Sequence, residues 1–177
     1  MKKKVASVFA PCLLLIAGLS QAADDVPATL SINGAVQNRN DVCSIELSRS
    51  LVQLDSKDIN ALPEQTMSSD KATSLDAVSV FVTGESCQSG GAAISFLGSV
   101  TDNDAYVFTN TQTGSAGAQG VGIALYGMGG EAITPNVSQK PVIDGGYVFH
   151  VGMVKVKNET PAPGLVQTSL TVQLDKV

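Results

Sequence analysis

The stretch Ala28-Thr29-Leu30-Ser31-Ile32-Asn33-Gly34-Ala35-Val36 decides the fold. Strand side chains alternate between faces, so Ala28, Leu30, Ile32 and Val36 point one way and Thr29, Ser31 and Asn33 the other. A half-apolar strand this early in the chain, followed by the polar spacer Gln37-Asn38-Arg39-Asn40-Asp41, needs a groove to fill. Two grooves qualify. One lies in the strand's own domain, which makes the segment an ordinary first strand. The other belongs to a neighbouring copy whose domain lacks a strand.

Upstream, Lys2, Lys3 and Lys4 form a basic start, Leu13 to Leu19 an apolar run, and Ser20-Gln21-Ala22 a small-residue cleavage region. Residues 1–22 therefore read as a secretory signal peptide, cleaved after Ala22 or after Ala23. The apolar run is too short for a comfortable membrane span, and no later segment approaches the length required. Cys12 falls inside the signal and not just after its cleavage site, which argues against a lipid anchor. The rest divides into an N-terminal extension, residues 23–40, and one domain, residues 41–177, long enough for a sizeable core.

The signal takes three of the 11 basic residues and none of the 16 acidic ones. Eight basic against 16 acidic leaves the mature chain at −8. With no Lys/Arg cluster, it lacks the electrostatic footprint of a nucleic-acid or anionic-lipid binder. Two cysteines remain, Cys43 and Cys87, and in an oxidising compartment an even pair reads as one disulfide. Closing that loop contributes about 4 kcal/mol in the chain-entropy model.

Beyond the spacer, nothing holds helical periodicity for long. Short, β-branched, alternating segments are punctuated by Gly, Pro, Asn and Asp. Strands are expected at Val42–Leu47, Leu51–Leu54, Ser79–Gly84, Ala92–Leu97, Gly120–Tyr126, Tyr147–Lys157 and Val166–Leu174. Such spacing predicts a β-sandwich with Greek-key connections. Ser56–Asp70 reads as a polar connection with room for a helical turn, and Thr109–Gln119 as a surface loop. Glu159-Thr160-Pro161-Ala162-Pro163-Gly164 reads as a turn, since two prolines do not fit a central ladder. In the last strand Val166, Thr168, Leu170, Val172 and Leu174 share a face. The chain thus carries an amphipathic strand at each end.

Catalytic constellations are missing. His150 is the sole histidine, which leaves Ser–His–Asp, Cys–His and multi-His zinc sites unsupported. Asp102-Asn103-Asp104 lacks the glycine and distal glutamate of a calcium loop and reads as a solvated turn. Gly127, Gly129 and Gly130 are not followed by Lys-Ser/Thr, so they shape a hairpin turn and not a phosphate cradle. Asn136-Val137-Ser138 and Asn158-Glu159-Thr160 match the glycosylation sequon and are expected to be unmodified. No cofactor is called for, and an enzyme is not expected.

In order and spacing, several blocks match one family. They are Asn33-Gly34 in the first strand, Cys43-Ser44-Ile45 after it, and Cys87 near a strand end. Ala93-Ile94-Ser95-Phe96-Leu97-Gly98, Gly120-Val121-Gly122-Ile123-Ala124-Leu125-Tyr126, and Pro161-Ala162-Pro163-Gly164 before the alternating last strand complete the set. Across essentially all of the mature region the chain resembles the pilin subunits of chaperone–usher fimbriae, particularly those of type 1 pili. The resemblance implies an all-β, incomplete immunoglobulin-like sandwich lacking its last strand, with a hydrophobic groove in its place. A periplasmic chaperone fills the groove first; the N-terminal extension of the next subunit then replaces it by donor-strand exchange at the outer-membrane usher. The physics is β-augmentation, with main-chain hydrogen bonds giving affinity and alternate side chains giving register.

Carried onto this sequence, the resemblance makes residues 23–40 a donor-strand extension with Ala28, Leu30, Ile32, Gly34 and Val36 facing the groove. Leu170, Val172 and Leu174 form one wall of the acceptor. Full burial of Leu30, Ile32 and Val36 contributes about 1.5–3 kcal/mol each. Family members commonly carry an aromatic near the C-terminus for docking on the chaperone; the corresponding residue here is Leu174. The implied partners are other pilin subunits, the chaperone, the usher and, through the assembled pilus on the cell surface, a possible host receptor. The rival reading is a single-domain adhesive subunit that binds carbohydrate, although the chain has no Trp and three Tyr to build such a site.

Overall fold

Alternation of apolar and polar residues, short spans and frequent turn residues leave this chain little but β-structure to form. The computed structural model describes residues 28–35, 43–64, 76–87, 91–101 and 104–177. The expected signal peptide, its cleavage site, the spacer up to Asp41, Val36, residues 65–70 of the polar connection, and Asp102-Asn103 lie outside these residues.

Among the described residues twelve strands follow in chain order: β1 (Ala28–Ala35), β2 (Ser44–Leu47), β3 (Leu51–Leu54), β4 (Asp76–Thr83), β5 (Ala92–Gly98), β6 (Val100–Thr101), β7 (Asp104–Phe108), β8 (Val121–Gly127), β9 (Ala132–Ile133), β10 (Gln139–Pro141), β11 (Gly146–Lys155) and β12 (Gln167–Lys176). Every strand expected from sequence appears, with ends displaced by a few residues. The four additional strands, β6, β7, β9 and β10, are short. β7 begins within what reads as a turn, and β10 ends on Pro141, which an edge strand tolerates.

The strands form two sheets of an immunoglobulin-like sandwich. One has the order β10-β5-β12-β1-β3; the other runs β2-β4-β11-β8-β7-β6, with β9 also paired to β8. The chain changes sheet at every step from β1 to β6, stays in the second sheet from β6 to β9, and changes sheet at every step again from β9 to β12.

Between the sheets lies one continuous core. Val52 and Leu54 of β3, Ile94 and Phe96 of β5, and Leu170 and Val172 of β12 meet Val78, Val80 and Val82 of β4, Ile123 and Leu125 of β8, and Phe149 and Val151 of β11. These positions alternate along each strand, which is why short alternating segments suffice to build two apolar inner faces. Phe96 packs edge-on to Phe149, with ring centroids 4.8 Å apart. On the other face of the second sheet, Val107, Ala124, Tyr126, Val154 and Val156 form a smaller buried cluster.

Cys43 and Cys87 form a disulfide with Cα atoms 6.1 Å apart. It ties the residue before β2 to the short turn after β4, reinforcing a β2–β4 ladder in which Ser44 pairs with Thr83. After β8 the chain reverses tightly: Gly127 N–H donates to the Glu131 carbonyl at 2.8 Å, and Gly130 adopts φ 82°. This is the hairpin that the glycine cluster implies. His150 is half-buried on β11, opposite Ala77 and Tyr126. The Asn136 side chain is committed to the backbone, donating to Gly98 carbonyl at 2.9 Å and accepting from Gly98 N–H at 3.0 Å.

Candidate strand-binding slot

β12 carries Leu170 and Val172 into the core because apolar residues alternate along it with Gln167, Ser169 and Gln173, which are exposed. On one side β12 pairs antiparallel with β5, from Leu170 opposite Gly98 to Lys176 opposite Ala92. β3 buries Val52 and Leu54 by the same alternation and leaves Leu51 and Gln53 exposed. β12 and β3 do not pair with each other. The slot between their edges is one strand wide, and β1 occupies it.

β1 runs parallel to β12 and antiparallel to β3. Leu30 stands opposite Thr168 and Val52, Ile32 opposite Leu170, and Gly34 opposite Val172; Ala28 stands opposite Leu54. In the single chain, the segment singled out by its alternation therefore completes the chain's own first sheet. Of the expected wall residues, Leu170 and Val172 border the slot directly. Leu174, partly buried against the core, lies one rung past the end of the β1 ladder, whose last pair is Ala35 with Gln173. Val36 lies outside the described residues.

Both ends of β12 are anchored. Asn110 Nδ2 donates to the carbonyls of Ala118 and Leu165, each at 2.9 Å, while its Oδ1 accepts from Gln112 N–H at 3.1 Å and Gln167 N–H at 2.9 Å. Thr111 adds N–H and Oγ1 donors to the Gln167 carbonyl at 2.7 and 2.9 Å. At the far end, Asp175 accepts from Ser95 Oγ of β5 and, at 2.6 Å, from Gln173 Nε2. The segment 109–119, expected as a surface loop, is thus partly a clamp: Gly117 and Ala118 are buried, and Ala118 N–H donates to the Leu165 carbonyl at 2.9 Å.

Two features escaped the sequence. β3 was legible as a strand but not as the second wall, because alternation reports faces and not neighbours. Thr168 was legible only as one member of an apolar face. Its side chain is buried and its Oγ1 has no hydrogen-bond partner among the described residues.

Away from the slot, Glu131 accepts from Lys140 Nζ at 3.1 Å and from Tyr147 OH at 3.5 Å. Burial pushes the Glu131 carboxyl up, but hydrogen bonds from backbone N–H groups and the Lys140 ammonium outweigh it, and the net shift is downward. Burial, followed by the neighbouring Glu131 charge, raises the Tyr147 phenol well above its ordinary range. These are charged contacts at the sandwich surface, on the turn after β8, on β10 and on β11.

No curated protein sequence matches the chain. Among solved structures it is similar to the P pilus rod subunit PapA, at 12% identity and a TM-score of 0.49, over 82% of this chain and 100% of that one. The family model described as fimbrial protein matches residues 30–175, a span that runs from β1 through β12 and contains both slot walls. The chain belongs to the fimbrial protein family.

Proposed function

We propose that this fimbrial subunit polymerises by donor-strand exchange: the β1 segment of one subunit fills the slot between β12 and β3 of the next. The observation that carries this reading is the placement of β1, held between two strand edges that have no partnership with each other. The same ladder of backbone hydrogen bonds is available to any strand of matching alternation. Only residues 36–43 separate β1 from β2 in sequence. Extended, they span about 26 Å at roughly 3.3 Å per residue, enough to reach a neighbour's slot as well as the chain's own.

On this reading Ala28, Leu30, Ile32, Gly34 and Val36 are the donor positions, and Leu170, Val172 and Leu174 line the acceptor. The subunit passes through the periplasm, where a chaperone guards the empty slot until an usher exchanges it for a donor strand. The fibre contributes to adhesion at the cell surface. The subunit performs no chemistry; its work is strand pairing.

The test uses the mature chain from Ala23 to Val177. On concentration it is expected to form a ladder of multimers that survives detergent and collapses on boiling. Ile32→Asp places a charge on the strand and is expected to abolish the ladder. A chain that stays monomeric at high concentration, or a ladder indifferent to Ile32→Asp, would overturn the reading.

A further inference from the structure

Thr168 is 1% exposed, on the inner face of β12 between the core residues Val166 and Leu170, and its hydroxyl has no partner among the described residues. A buried hydroxyl without a hydrogen bond weakens the state that contains it. The rung opposite it in the slot belongs to Leu30, a residue with no polar atom. Sliding the strand does not repair this. Register shifts that preserve the apolar face move by two residues, and the alternate residues from Ala28 to Val36 are Ala, Leu, Ile, Gly and Val, none bearing a hydroxyl. A one-residue slip brings Thr29 or Ser31 to the rung but turns the whole apolar set to the wrong face.

We propose that Thr168 is a specificity-determining residue of the slot, and that its preferred occupant is a strand from a different subunit with serine or threonine at the Thr168 rung. Neighbouring strands lie about 4.8 Å apart, so hydroxyls facing each other on one rung can reach to hydrogen-bond, which gives such a strand an advantage that this chain's own segment cannot match. The inference rests on the strand-exchange reading. It gives that reading a direction: the slot favours a heterotypic joint over a homotypic one.

The test is a double-mutant cycle in the full mature chain, combining Leu30→Val or Leu30→Thr with native Thr168 or Thr168→Val. Valine and threonine have nearly the same shape, so each comparison isolates the hydroxyl. With native Thr168, the Leu30→Thr chain is expected to melt about 3 °C above the Leu30→Val chain. With Thr168→Val the order reverses, because a lone hydroxyl is then buried at residue 30. The same ordering in both backgrounds would overturn the proposal.

The second arm works in trans. Synthetic peptides covering Asp25–Val36, with Leu30→Thr or Leu30→Val, are offered to the mature chain. About tenfold stronger uptake of the Leu30→Thr peptide is expected, and it should vanish in Thr168→Val. Equal uptake of both peptides would overturn the preference. If neither peptide enters, strand exchange fails instead, while the melting cycle still decides whether the rung at Thr168 reads a hydroxyl.

Discussion

The Tyr147 hydroxyl lies 3.5 Å from the Glu131 carboxylate, and burial keeps it neutral far above the ordinary phenol value of about 10. An acid whose pKa is raised by folding stabilises the native state below its unfolded value and surrenders that contribution as pH rises through its folded value. Stability is therefore expected to fall on the alkaline side from about pH 10 upward. Tyr147→Phe should flatten that limb while leaving the melting temperature at pH 7 little changed. Melting curves of the two proteins between pH 7 and 12 check this, and parallel limbs would count against it. Glu131 has the opposite sign: its lowered pKa contributes above the ordinary carboxylate value and is lost as pH falls through the folded one. None of these contacts was legible in the sequence, since Glu131, Lys140 and Tyr147 come from separate segments that only the hairpins bring together.

At the scale of elements, β12 depends on residues far from it in sequence. The four hydrogen bonds of Asn110 gather the loop at Ala118 and the chain entering β12 at Leu165 and Gln167. Removing the amide takes a partner from the Ala118 carbonyl and from the Gln112 and Gln167 N–H groups, each a loss on the order of 1 kcal/mol, while the Leu165 carbonyl keeps its bond from Ala118 N–H. Asn110→Ala is expected to cost about 2–3 kcal/mol in denaturant unfolding, well above the usual effect of a surface loop substitution. A loss below about 0.5 kcal/mol would show that β12 is held by its ladders alone. The strands themselves could be read in advance because a two-residue period is local. Val80 and Val82, for instance, announce the buried face of β4 without reference to any neighbour, although the strand starts three residues before the expected Ser79 and also buries Val78. Which edges lie side by side depends on contacts between distant segments, so β3 as the second slot wall had no local signal. Asn110 was equally hidden in a Thr/Gly/Ser-rich stretch whose composition indicates a loop but not what the loop grips.

For the whole molecule, charge is the property that matters once subunits meet. The full chain carries a net charge of −5, and −8 on the expected removal of residues 1–22 with their three lysines; such copies repel each other, and at low ionic strength that repulsion reaches far beyond contact. Ladder formation by the mature chain is expected to accelerate as salt rises from about 10 mM, where the screening length is about 30 Å, to about 150 mM, where it is about 8 Å. Time courses at the two salt concentrations decide it; identical rates would mean that encounter between subunits is not limited by charge. The sandwich class and its apolar inner faces were legible at this scale from composition and spacing. The parallel run of β1 along β12 was not, because orientation leaves no mark on an alternating pattern.

That parallel ladder also dictates an order of events. Leu30 pairs with Thr168, so the first of these strands to leave the ribosome can close its sheet only after the last has followed. Pairings between such distant segments carry the largest loop-closure entropy and form late in folding. Each newly made chain must therefore spend an interval with its other ladders able to form and one seat vacant. The architecture makes that waiting period unavoidable, and whichever strand is nearest during it has the first opportunity to sit down.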